Sequence, residues 1–187
     1  LLRARDLGLS VSPLAVIEEP ENYSRVLDYF VEDLGFESLR LNACQPLGRA
    51  RNHLDLGPER AQALHRGFMD MVDRALGHAR RLGRPLAVRD LDAMLRNLTS
   101  KRRRHMCMRS PCGLGNSILS FSHDGDVYAC EEYEESTKGR LHLGSLEDLD
   151  LGALGETSLR LKELWGRRVE RIPRCSRCAV RHFCGGG

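Results

Sequence analysis

The sequence predicts an α/β fold with a parallel sheet, followed by a small cysteine-rich domain. Three features of the 187 residues point there. A strand, a helix and a strand fit within about 35 residues, long amphipathic helices follow, and six of the seven cysteines fall in the last 81 residues.

Each element has a local reason. Between Leu9 and Ile17, the residues Val11, Leu14, Val16 and Ile17 suit a short buried strand, ended by Glu18, Glu19 and Pro20. Val26, Leu27, Phe30, Val31 and Leu34 then fall at helical spacing, and Gly35 stands where a left-handed cap stops a helix. A second strand is predicted at Ser38 to Leu41. Parallel strands joined by a helix require a crossover, and one such unit cannot close a barrel. Pro58 opens a long helix through Ala61, Leu64, Phe68, Met71, Val72 and Ala75, and Leu91, Met94, Leu95 and Leu98 mark another. These helices are expected to cover the sheet.

Near Arg102 to His105 the pattern becomes short, glycine-punctuated and cysteine-bearing, so the expected domains are 1–104 and 105–187. Ile118 to Phe121 and Val127 to Ala129 flank Asp124-Gly125, a turn pair that predicts a β-hairpin. Ser145-Leu146-Glu147-Asp148 suits the cap of a short helical turn, and Leu161, Leu164 and Trp165 suggest one more helix. The stretch from Arg174 to Gly187 has almost no apolar content, so something other than a hydrophobic core must hold it.

Composition narrows the function. The 29 Lys+Arg against 26 Asp+Glu leave a net charge of +3, and no basic module is recognisable. Only Lys101, Lys138 and Lys162 are lysines, which reads as compositional bias, so no nucleic-acid partner is expected. No apolar run approaches the roughly 18 residues that span a bilayer, and no charged-then-apolar leader follows Leu1. The expectation is a cytoplasmic protein without a membrane partner.

Seven cysteines, an odd number, read as soft metal ligation in a reducing compartment rather than as a disulfide framework. Cys175-x2-Cys178-x5-Cys184 points three sulfurs at one small object within ten residues. On this motif alone iron–sulfur ligation and a zinc knuckle completed by His182 stand level. The predicted hairpin brings the ends of the Cys112 to Cys130 segment together, and Cys107 lies close enough to join them. The alternative is that these three pack as ordinary buried thiols. Cys44 reads as a packing residue at a strand end.

The pattern Cys112-x12-Gly125-x4-Cys130, followed by Cys175-x2-Cys178-x5-Cys184, resembles the SPASM domain at the C-terminal end of many radical S-adenosylmethionine (SAM) enzymes. The resemblance covers Cys107 to Gly187. In that family two further cysteines follow, the first after three residues, and Gly185, Gly186 and Gly187 fill that interval here. The front part is similar, more loosely, to the later strands of the family's partial (β/α)6 barrel, including Arg40-Leu41-Asn42 and Pro46-Leu47-Gly48-Arg49-Ala50.

The resemblance implies that Cys107, Cys112 and Cys130 bind a first auxiliary [4Fe–4S] cluster and Cys175, Cys178 and Cys184 a second. Each trio awaits a fourth ligand. It implies SAM as cofactor of a longer parent, with Asn42 and Gly48 in a segment lining its pocket. The CxxxCxxC motif that holds the family's catalytic cluster is absent from these residues, so the chain alone is not expected to cleave SAM. Glu131 stands where sulfatase-maturating members carry an aspartate base after the equivalent cysteine. Its alternative is a solvated acid in the run Glu131, Glu132, Glu134 and Glu135. The implied partners are a peptide or protein substrate and a reducing electron donor such as flavodoxin or ferredoxin. A zinc-stabilised binding module and an iron–sulfur electron-transfer protein are the rival readings.

Overall fold

The computed structural model describes residues 1–54, 57–101, 105–131 and 138–186, which form two compact units, Leu1–Arg96 and Asn97–Gly187. The acidic residues Glu132, Glu134 and Glu135 lie outside the described residues.

The first unit runs α1 (Leu2–Asp6), β1 (Leu14–Ile17), α2 (Asn22–Asp28), β2 (Ser38–Ala43), α3 (Pro58–Leu82), β3 (Ala87–Val88) and the start of α4 (Arg89–Thr99). Its three strands form one parallel sheet in the order β1-β2-β3, with Val16 opposite Asn42 and Ser38 opposite Ala87. β1 is shorter than the predicted Leu9–Ile17, because pairing with β2 begins only at Leu14. α2 passes into a π-helical turn over Tyr29–Asp33, and Gly35 follows with φ +66°. In α3, Pro58 sits at the first turn, where its missing N–H costs nothing, and Gly83 ends the helix with φ +66°.

The core between sheet and helices contains Leu27 and Leu39, both fully buried, with Phe30, Leu41, Met71 and Val88. Burying a leucine or phenylalanine of this kind contributes about 1.5–3 kcal/mol. Met71, Ala75 and His78 share the buried face of α3, at spacings of four and three residues.

That face carries an ion-pair network within the first unit. His78 Nε2 lies 2.6 Å from Asp28 Oδ1, Arg74 Nε donates to Asp28 Oδ2 at 2.9 Å, and Arg81 Nη2 lies 2.7 Å from Glu32 Oε1. Arg81 Nη2 also donates to His78 Nδ1 at 2.6 Å. Burial pushes the Asp28 carboxyl up, but hydrogen bonds and charge from Arg74 and His78 outweigh it, and the net position is below the ordinary 3.8. A carboxylate held low in the folded state contributes stability above its unfolded pKa and loses it as pH falls through the folded one. We therefore expect the first unit to lose stability as pH drops below about 4. Asp28→Asn should flatten that loss in acid melts, and an unchanged acid dependence would show that the network is not its source.

The second unit begins at Asn97, in the last turn of α4. It continues with β4 (Ser120–Phe121), β5 (Asp126–Tyr128), α5 (Lys138–Leu141), β6 (His142–Ser145), α6 (Leu154–Thr157), α7 (Leu159–Trp165) and α8 (Arg181–Cys184). β4 and β5 form the hairpin predicted around Asp124-Gly125, and β6 adds a third antiparallel strand. At Ser145 the chain makes a single turn: its carbonyl accepts from Asp148 and Leu149 N–H, each at 3.1 Å. Ser158 caps α7 by accepting from Leu161 N–H at 3.2 Å. The small core joins Ala129, Leu154 and Leu161 with Leu114, Leu143 and Trp165 around them.

Candidate metal centre

The segment Met106–Gly113 closes on itself, because Gly113 N–H donates to Met106 O at 2.9 Å. That one bond holds Cys107 and Cys112 on the same loop. A second tie brings in the hairpin: Gly115 N–H donates to Ala129 O at 2.7 Å, which sets the residue before Cys130 beside the stretch after Cys112. Gly115 has φ +64°, and a Cβ there would lie 2.1 Å from Leu161 Cδ2, so the strand end and α7 meet at a glycine. Backbone hydrogen bonds thus connect the Cys107–Cys112 loop to the stretch that leads into Cys130.

The second trio sits on consecutive tight turns. Cys175 N–H and Ser176 N–H donate to Ile172 O at 2.9 and 2.8 Å, Cys178 N–H to Cys175 O at 2.9 Å, and Cys184 N–H to Val180 O at 3.0 Å. Such turns reverse the chain every few residues. Val169, 1% exposed, is the last fully buried residue among those described.

Asn97 joins the two groups. Its side-chain amide donates to Met108 O and to Phe183 O, both at 2.8 Å, tying the residue after Cys107 to the residue before Cys184. Gly185 continues the contact: with φ +74°, a Cβ on it would lie 2.6–2.8 Å from the Arg109 backbone. The role of Asn97 is not visible in the sequence. The one signal is an amide in the last turn of an amphipathic helix, a residue that must find partners when 4% exposed.

All six cysteines are half-buried or exposed, as is Cys44, whereas cysteines that serve as packing residues are among the most buried of all types. Around a single zinc, thiolates at about 2.3 Å from the metal lie within about 4 Å of one another. Among the described residues the one set of three ligand-type side chains whose ligand atoms all fall within 4.8 Å is Asp28, Glu32 and His78. Neither cysteine trio is that tight. The Asp28 set already has Arg74 and Arg81 on its carboxylates, so it is an ion-pair network rather than a metal cage. His182, exposed on α8, lies with Nδ1 3.9 Å from Glu170 Oε1.

A cavity of about 510 Å³ opens beside Cys112, lined by Arg109, Ser110, Asn116, Trp165 and Arg168. Trp165 is oriented by its indole N–H, which donates to Leu114 O at 2.9 Å. Glu131 follows Cys130 directly and is exposed. In the first unit, Asn42 is half-buried near the C-terminal end of β2, and exposed Gly48 opens a short 3₁₀ turn over Gly48–Asn52 with φ +55°.

The mixed α/β fold of the chain has solved counterparts. Among the solved structures that the chain matches are several of anSMEcpe, an anaerobic sulfatase-maturating enzyme. With bound AdoMet the native form gives a TM-score of 0.68 at 18% identity, and the tagged form 0.70 at 18%. With AdoMet and the Cp18Cys peptide the TM-score is 0.67 at 18% identity. In each case 98% of this chain is covered and 48–49% of the other, so the chain spans about half the length of those structures. No protein-family model matches the chain, and no curated protein matches it.

Proposed function

We propose that the chain is the C-terminal part of a radical SAM/SPASM enzyme that oxidatively modifies a peptide or protein. Residues 1–104 form the last part of its partial barrel with linking helices, and 105–187 its auxiliary cluster domain. The observation that carries this is the cysteine arrangement. Six thiols stay out of the hydrophobic core, in two groups built by hydrogen-bonded turns, on a fold shared along 98% of the chain with a peptide-bound maturase structure.

On this reading Cys107, Cys112 and Cys130 hold one auxiliary [4Fe–4S] cluster, and Cys175, Cys178 and Cys184 hold another. The donor set suits that group: soft thiolates spread more widely than one zinc demands, on turns that leave them accessible. Iron–sulfur centres supply one-electron chemistry, and S-adenosylmethionine supplies the hydrogen-abstracting radical in the parent. Asn42, near the C-terminal end of a parallel strand where barrel enzymes gather their ligands, and Gly48, a few residues beyond that end, help bind S-adenosylmethionine. Glu131, beside a cluster ligand and open to solvent, accepts the proton that the substrate loses on oxidation. The partners are a peptide or protein substrate and a reducing carrier such as flavodoxin or ferredoxin, in the cytoplasm, without nucleic acid or membrane.

Anaerobic reconstitution with iron and sulfide tests the reading. A brown protein with matching iron and sulfide content is expected, and a colourless protein holding stoichiometric zinc would replace the proposal with a zinc-stabilised module. In the intact parent, Glu131→Gln is expected to lower product formation about a hundredfold or more while leaving SAM cleavage intact, the contribution typical of a general base. Unchanged product formation removes Glu131 from the mechanism.

A further inference from the structure

The segment Arg167–Arg181 contains six arginines, Arg167, Arg168, Arg171, Arg174, Arg177 and Arg181, and one acid, Glu170. Taking these from the 29 basic and 26 acidic residues of the chain leaves 23 basic against 25 acidic elsewhere. A general arginine bias therefore does not explain the excess; it is local to the stretch that frames Cys175 and Cys178 and leads into Cys184. Five of the six arginines are exposed, and Arg181 is half-buried with Nη1 donating to Cys178 O at 3.0 Å. None of the six is ion-paired among the described residues, and Glu170 faces His182 instead. Elsewhere Arg74, Arg81 and Arg84 each meet a carboxylate of Asp28, Glu32 and Glu37.

We propose that this arginine rim is a docking surface for a small acidic electron-carrier protein, placed against the second cysteine group. The choice of an electron carrier rests on reading those cysteines as iron–sulfur ligands. Like charges confined to one compact loop repel one another, and an acidic partner relieves that repulsion while being steered onto the surface. Guanidinium suits a carboxylate-rich face because its planar fork pairs carboxylates bidentately. A nucleic-acid partner fits less well. Single strands need exposed aromatic platforms interleaved with cations, and the segment 167–181 contains no aromatic residue. Its flanking Trp165 and Phe183 are both half-buried.

The test uses the reconstituted 187-residue chain and flavodoxin as the probe, with affinity measured at about 50 and about 300 mM salt. Binding that weakens with salt is expected, and a rim variant carrying R171E, R174E and R177E should bind about tenfold more weakly. A matched variant with R25E, R66E and R80E, exposed arginines of the first unit, should stay within about twofold, which separates a local surface from net charge. Iron and sulfide content should be the same in all three proteins. Equal losses in the two variants would overturn the docking surface while leaving the cluster reading intact. Equal binding of an acidic protein without a redox centre would overturn the electron-carrier assignment. Tighter, rim-dependent binding of a single-stranded RNA would replace it with a nucleic-acid surface. Failure of the chain to take up iron would overturn both this proposal and the reading it rests on.

Discussion

Gly185→Ala is expected to lower the melting midpoint of the second unit by more than about 10 °C and to reduce its iron uptake. Two costs add at this position. An alanine with φ +74° pays roughly 1–2 kcal/mol for the left-handed conformation. Its methyl would also lie 2.6–2.8 Å from Arg109 N, C and O, and a backbone cannot swing away as a side-chain tip can. The shift that relieves the clash must part the Cys184 turn from the Cys107–Cys112 loop, which Asn97 holds together from the other side. Gly83→Ala is the internal comparison, because Gly83 also ends a helix, has φ +66°, and has nothing within 4 Å of the Cβ position. It should cost its own unit only the conformational part. Equal destabilisation by the two substitutions, measured by thermal melts of each unit, would show that the approach to Arg109 is unimportant.

Serine at Cys175, Cys178 and Cys184 together is expected to remove about half of the bound iron, from about eight to about four per chain. It should also erase most of the melting difference between the apo and reconstituted second unit. The reason lies in the packing after Val169: no later described residue is fully buried, so the terminal turns have little apolar burial to hold them. Where a core is missing, metal binding becomes folding free energy. The corresponding replacement of Cys107, Cys112 and Cys130 should remove the other half but leave the apo melt closer to the parent, because Ala129 and Leu161 still pack beneath that loop. Iron determination and calorimetry on the apo and reconstituted proteins check both statements. Unchanged iron after either triple replacement would sink the assignment of that trio.

The regular helices and the main turn signals were legible because their causes are local. The spacing of Val26 to Leu34, Pro58 at the start of α3, and Asp124-Gly125 between two apolar stretches act over a few residues, and α2, α3 and the hairpin follow. β3 was missed because two residues, Ala87 and Val88, have no period to read. They become a strand because Ser38 and Leu39 supply the partners. β6 was missed for the same reason, its pairing being furnished by β5.

What the sequence determined by itself was the chemistry on offer: seven thiols, their spacing, and a parallel α/β front part. Tertiary structure alone decided which loops meet. Asn97 spans Met108 and Phe183, Gly115 ties the hairpin end to the Cys112 loop, and Gly185 lies against Arg109. Spacing limits how far a side chain can reach, but a hydrogen bond between residues 86 positions apart depends on where the rest of the chain has folded.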